Sequence, residues 1–199
     1  NAKADWSRLV VSTEIAAALT ELEARCRPTD NNDWRLQAKQ TGVRALFSGS
    51  TGTGKTLAAS ILAARLGRAL VQIDLSAVVS KYIGETEKNL QRVFETAARD
   101  DVVLMFDEAD ALFGKRTEVR DAHDRFANTD VNFLLQAIEN WHGIVVLTSN
   151  APQHIDLAFL RRMHTVITFP LPDAAERERI WRLHLPAGQV DHQLRLALA

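Results

Sequence analysis

The sequence predicts an α/β domain built on a mostly parallel sheet covered by helices on both faces. Three observations carry that expectation. Strand and helix signals alternate along the chain, the strand segments are continuous apolar runs suited to burial on both sides, and a glycine-rich turn at 49–56 joins one strand to the next helix. The 199 residues suit one domain of ordinary size, or a domain plus part of another, and the 46% apolar content is ample for a core.

Val10 and Val11 lead into Ser12, a good N-cap, before a helix with Ile15, Leu19 and Leu22 on one face. Arg27-Pro28-Thr29-Asp30-Asn31-Asn32-Asp33 is polar and reads as a loop. Val43 to Phe47 is a short buried strand, and after the glycine-rich turn a helix runs from about Lys55 to Leu66. Ala69 to Leu75 is the next strand, and Leu90, Val93, Phe94 and Ala97 have the spacing of a helix packed on one side. Val102 to Phe106 is a central parallel strand ending in Asp107-Glu108. Val131, Leu134, Leu135 and Ile138 mark another helix, followed by a buried strand at Ile144 to Leu147. Val166 to Phe169 is the fifth strand, closed by Pro170 and Pro172. Ala174 to His184 is helical, with Glu176–Arg179 and Glu178–Arg182 as surface pairs. No internal repeat or low-complexity segment interrupts the pattern.

Composition narrows the function classes. With 24 basic against 25 acidic side chains the net charge is −1, which removes any strong case for a polyanion-binding module. A single Cys excludes a disulfide framework within the chain and fits a reducing compartment. No apolar run is long enough to span a bilayer. The first residue is Asn1, with no basic-then-apolar signal segment after it, so the expectation is a cytoplasmic fragment of something longer. The six His residues lack metal-ligand spacing and read as structural or surface, and Cys26 is assigned no chemistry.

Gly49-Ser50-Thr51-Gly52-Thr53-Gly54-Lys55-Thr56 matches G-x-x-x-x-G-K-[ST] in full, between a strand and an apolar helix. The glycines let the backbone wind so that several N–H groups converge on phosphate oxygens at a helix N-terminus. Gly49, Thr51, Gly52, Thr53, Gly54, Lys55, Thr56 and Leu57 are the expected nucleotide-binding set, with Lys55 reaching the β- and γ-phosphates. The Thr56 hydroxyl would complete part of a Mg²⁺ shell. Asp107, at the end of a buried strand, is placed to hold the same Mg²⁺ through water, and Glu108 to orient and activate the attacking water. An ordinary acidic pair after a strand is the bland alternative. There is no N-K-x-D guanine signature, so ATP is the expected nucleotide.

By these residues and those that follow, the chain resembles the AAA branch of the AAA+ ATPases. The resemblance rests on five signals in order: residues 49–56, Ser80-Lys81-Tyr82-Ile83-Gly84-Glu85-Thr86-Glu87-Lys88-Asn89, Asp107-Glu108-Ala109-Asp110, Leu147-Thr148-Ser149-Asn150, and Ile155-Asp156 with Arg161-Arg162. It implies a five-stranded parallel sheet of order 5-1-4-3-2, sandwiched by helices, in a large nucleotide-binding subdomain at 1–172. The start of a small helical lid is implied at 173–199, and action as a ring, usually of six copies. By resemblance Asn150 is the first sensor, touching the γ-phosphate or the attacking water; a plain strand-ending turn is the other reading. Arg161 and Arg162 resemble arginine fingers entering a neighbour's site, where a guanidinium neutralises charge in the transition state. The alternative is a surface Arg pair. The family pattern places another Arg soon after, whereas Met163-His164-Thr165 follows here, so whether one or both act stays open.

Lys81, Tyr82, Ile83 and Gly84 resemble a pore loop that grips an extended polypeptide; packing of Tyr82 and Ile83 on the domain's own surface is the other reading. Lys115 to Arg125 mixes both charge signs and reads as a solvated loop, or as a second pore-facing loop. Ile138-Glu139-Asn140-Trp141-His142-Gly143 is shorter than the stretch that relays nucleotide state between subunits in the family. The expected function is ATP hydrolysis by a ring that threads, unfolds or remodels a protein substrate. A nucleic-acid motor on the same fold, disfavoured by the near-neutral charge, and an assembly scaffold with little turnover are the alternatives. The Asp-Ala-His-Asp-Arg-Phe stretch at 121–126 is similar to that of bacterial AAA ATPases associated with phage-tail-like contractile particles.

Overall fold

The computed structural model describes residues 5–27, 42–75, 86–112, 133–151, 153, 155 and 157–185. A short 3₁₀ turn at Trp6–Arg8 precedes α1 (Thr13–Cys26). There follow β1 (Val43–Ser48), α2 (Lys55–Arg65), β2 (Leu70–Asp74), α3 (Thr86–Asp100) and β3 (Val103–Asp107). After a 3₁₀ turn at Ala109–Leu112 come a helix at 133–140 (α4), β4 (Ile144–Ser149), α5 (Leu157–Leu160), β5 (Thr165–Thr168) and α6 (Ala174–His184). The predicted elements are found, with ends shifted by one or two residues.

The five strands are parallel and lie in the order β2-β3-β4-β1-β5, the expected order read from the other edge. Side chains of successive strand residues point to opposite faces, which explains why the central strands read as unbroken apolar runs. Ala45, Phe47, Val103, Met105, Ile144 and Val146 pack with Leu19 and Leu22 of α1 and Ile61 and Leu62 of α2 on one face. Leu46, Leu104, Phe106, Val145 and Leu147 pack with Leu90 and Phe94 of α3, Leu134 and Ile138 of α4 and Phe159 of α5 on the other. Each such side chain removed from water contributes about 1.5–3 kcal/mol before entropy is counted. Val131, predicted on the α4 face, lies outside the described residues.

The ends of the helices follow their caps. Ser12 accepts the Ile15 N–H at 3.4 Å, as its N-cap reading requires. At α6 the cap takes over a residue expected elsewhere. Asp173 accepts from Glu176 N at 2.8 Å while the Glu176 carboxylate accepts from Asp173 N at 3.0 Å, so the predicted Glu176–Arg179 pair is replaced by a capping box. Glu178–Arg182 does pair.

One buried charge joins three elements. Glu23 of α1, 5% exposed, accepts from Trp6 Nε1 at 2.9 Å, Arg65 Nε of α2 at 2.5 Å and Arg27 Nη2 at 2.6 Å. Burial alone would raise its pKa, but the Arg65, Arg27 and Trp6 hydrogen bonds outweigh burial and hold the carboxyl down at about 2. Burial pushes the neighbouring Cys26 thiol up to about 11, which keeps it a protonated, inert core residue.

Candidate active site

The loop between β1 and α2 is fixed by its first glycine. Gly49 has φ +143°, and a Cβ there would lie 2.1 Å from the Phe169 carbonyl oxygen. Its N–H donates to Ser149 O at 3.1 Å, and Phe169 N donates to Ser48 O at 2.7 Å, so the loop leaves β1 gripped by the ends of β4 and β5. Gly54 is the N-cap of α2 in the left-handed region, φ +99°, and Thr53 Oγ1 donates back to Ser50 O at 2.9 Å. The apolar face of α2 is buried on the sheet, and this aims the N-terminus of the helix at the mouth of the loop.

Lys55 opens α2 and is 6% exposed. Its ammonium donates to Gly49 O at 2.6 Å, Ser50 O at 2.8 Å and Asn150 Oδ1 at 2.9 Å. Burial pushes its pKa below the usual lysine range, and the nearby Asp107 and Asp110 charges oppose that shift. Around it, Thr51, Gly52, Gly54, Lys55, Thr56, Leu57, Asp107, Glu108 and Asn150 line one cleft. Residues up to 99 positions apart in sequence thus meet at the carboxyl ends of parallel strands, where open α/β sheets place their ligands.

The acidic side of the cleft is tied to β4. Asp107 Oδ1 accepts from the Thr148 hydroxyl, and from Glu108 N at 3.1 Å, while Oδ2 accepts from Gln72 Nε2 of β2 at 2.8 Å. Glu108 adopts φ +54°, a left-handed conformation that costs a non-glycine residue about 1–2 kcal/mol. That turn sends consecutive carboxylates in different directions: Asp107 stays half-buried, and Glu108 is exposed on the cleft. Asp110 accepts from Ser149 Oγ at 2.6 Å, Asn150 N at 2.9 Å and Ala151 N at 3.3 Å. Among the described residues no group of three or more His, Cys, Asp or Glu converges. The oxygen donors offered instead, the Thr56 hydroxyl and Asp107, suit Mg²⁺ that keeps most of its shell as water and phosphate oxygens.

Beside Gly52 and Thr53 a second hollow is lined by Val10, Val11, Ile15, Phe169, Pro170 and Ile180. The sequence reading gave none of these side chains a place in a site, and the hollow draws on segments some 170 positions apart. Gln72, Thr148 and Asp110 were likewise unassigned, because their partners lie 35 to 41 positions away.

Arg161 and Arg162 lie elsewhere. Arg44, near the start of β1 and so at the opposite end of the strand from the phosphate loop, donates from Nε to Arg162 O at 3.0 Å. Arg162 Nη1 is 2.6 Å from Glu139 Oε1, whereas the exposed Arg161 side chain has no polar partner among the described residues. Neither arginine is part of the chain's own cleft. Lys81, Tyr82, Ile83 and Gly84, the stretch 115–125 and Asp156 lie outside the described residues.

Residues 45–171 match the sequence model of the ATPase family associated with various cellular activities. An uncharacterized AAA family ATPase, y4kL, of Sinorhizobium fredii is 38% identical over 177 residues, covering 88% of this chain and 52% of that protein. Human vacuolar protein sorting-associated protein 4A is 34% identical over 153 residues, covering 75% of this chain and 35% of that protein. The chain therefore spans about half the length of the first relative and about a third of the second. Among solved structures, the FIGL-1 AAA domain in complex with ADP superposes with a TM-score of 0.68 over 89% of this chain and 59% of that one. At 24% identity that likeness speaks for the fold alone.

Proposed function

Since the chain belongs to the ATPase family associated with various cellular activities, we propose that it binds ATP with Mg²⁺, hydrolyses it, and works in a ring of copies that threads, unfolds or remodels a protein client. The observation that carries the hydrolytic part is the single cleft shared by the phosphate loop, Asp107, Glu108 and Asn150. The N–H groups at the start of α2 and the Lys55 ammonium bind the phosphates, and Thr56 and Asp107 would hold the metal. When bound, Mg²⁺ would supply neutralisation of phosphate charge. Glu108 takes the proton of the attacking water, for which its exposed position on the cleft suits it. The apolar hollow next to Gly52 and Thr53 offers a base two proline faces and aliphatic walls, with Glu176 at its edge.

Arg161 and Arg162, remote from their own cleft, serve the cleft of an adjacent copy, and residues 173–199 begin the lid. The protein client rests on Tyr82 and Ile83 in the sequence, on the near-neutral charge, and on a relative named for vacuolar protein sorting.

Glu108→Gln provides the test. It keeps the shape of the side chain and removes the base, so ATP binding should persist while phosphate release falls by about 10²-fold or more. Turnover at the parent rate would remove Glu108 from the mechanism.

A further inference from the structure

Four residues of the acidic run and strand end, Asp107, Glu108, Thr148 and Asn150, have places in or against the proposed reaction, but Asp110 does not. The β3–β4 register ends at the Phe106–Leu147 pair. Past that pair the two strand ends are stitched by side chains: Thr148 to Asp107, then Ser149 and Asn150 to Asp110. Asp110 spends both carboxylate oxygens on one turn. Oδ2 takes the Asn150 N–H at 2.9 Å, and Oδ1 takes the Ser149 hydroxyl at 2.6 Å and the Ala151 N–H at 3.3 Å. The Ser149 hydroxyl, on a fully buried residue, in turn accepts from Ala151 N at 3.2 Å.

We propose that Asp110 is a positioning residue for hydrolysis, fixing through the 149–151 turn the direction from which Asn150 faces the phosphates. A charged acceptor on consecutive N–H groups is among the stronger ways to hold a turn. Aligning a reacting water tolerates little slack, since a displacement of about 1 Å can cost 10²-fold in rate. The 3₁₀ turn at Ala109–Leu112 places Asp110 three residues after Asp107, so one short segment presents the metal-side carboxylate and anchors the sensor. Ala109 between them is fully buried and holds that segment against the core. The inference rests on the proposed role of Asn150 and deepens it.

The test is steady-state ATPase kinetics on the full chain, comparing the parent with Asn150→Ala, Asp110→Ala, the double variant, Asp110→Asn and Ser149→Ala. Asp110→Ala should lower kcat by about 10–100-fold while KM for ATP moves by less than about 3-fold. On the Asn150→Ala background the same change should cost less than about 3-fold further, because its effect passes through Asn150. Asp110→Asn, which retains one oxygen acceptor, should fall between Asp110→Ala and the parent. Two results overturn the inference while leaving the role of Asn150 intact. One is a slow Asn150→Ala with Asp110→Ala at parent kcat, and the other is an effect of Asp110→Ala that persists in full on the Asn150→Ala background. An Asp110→Asn as slow as Asp110→Ala, with a raised KM, would point to a bare charge effect on Lys55 and also overturn it. Asn150→Ala at parent rate would sink the sensor reading and the inference together. If Asp110→Ala fails to fold, Ser149→Ala decides: it should lose about 3–10-fold in kcat, nothing further on Asn150→Ala, and parent kcat counts against the inference.

Discussion

Glu23 shows how much a single residue can carry outside the active site. Its carboxylate sits at the junction of α1, α2 and the Trp6 turn, and three donors hold its pKa at about 2. The folded value lies below the ordinary one, so the stabilisation is complete above the ordinary carboxylate range and is lost as pH falls toward 2. A shift of that size corresponds to about 3 kcal/mol at neutral pH. Glu23→Gln should therefore lower stability at pH 7 by about 1–3 kcal/mol, and flatten the pH dependence between about 5 and 2 relative to the parent. Chemical denaturation across that pH range checks both parts, and parallel curves would refute the assignment.

At the scale of elements, the junction of β1, β4 and β5 depends on Gly49. The wedge that seats the phosphate loop leaves a methyl group nowhere to go: the obstacle is the Phe169 carbonyl, part of the backbone. Gly49→Ala should cost on the order of 3 kcal/mol and weaken nucleotide binding. Gly52→Ala, with φ +84° but open space around the Cβ, should cost only about 1–2 kcal/mol. Thermal unfolding of the two variants makes the comparison; equal losses would mean the β4–β5 grip does not matter. The glycines, Lys55 and Thr56 were legible in the sequence because the chemistry they share fits within eight consecutive residues. So were the strands, whose two-sided burial leaves no polar residue in the run from Val102 to Phe106. Asp110, Gln72, Glu23 and the walls of the apolar hollow were not legible, since each acquires its meaning from a partner 17 to 42 or more positions away. A carboxylate in the sequence is the same whether it ends up exposed like Glu108 or buried like Glu23. The Glu176 misreading has a different origin: two partners three residues away were available, and the cap won over the surface pair.

For the whole molecule, the placement of Arg161 and Arg162 at the far end of β1 from the cleft makes one copy incomplete under the proposed mechanism. Specific ATPase activity should rise with protein concentration across the range in which copies associate. Arg161→Ala should depress the plateau by about 10³-fold or more if its guanidinium enters a neighbouring site. Constant specific activity from dilute to concentrated protein, with light scattering showing association, would overturn action in trans. The cleft adds a constraint of its own. An ammonium has three N–H bonds, and Lys55 has committed all of them, two to its own loop and one to Asn150. An entering phosphate can recruit that cation only by displacing a bond already made. If the displaced bond is the one to Asn150, loading the site and unlatching its sensor are the same event, an interlock that leaves an empty cleft unarmed.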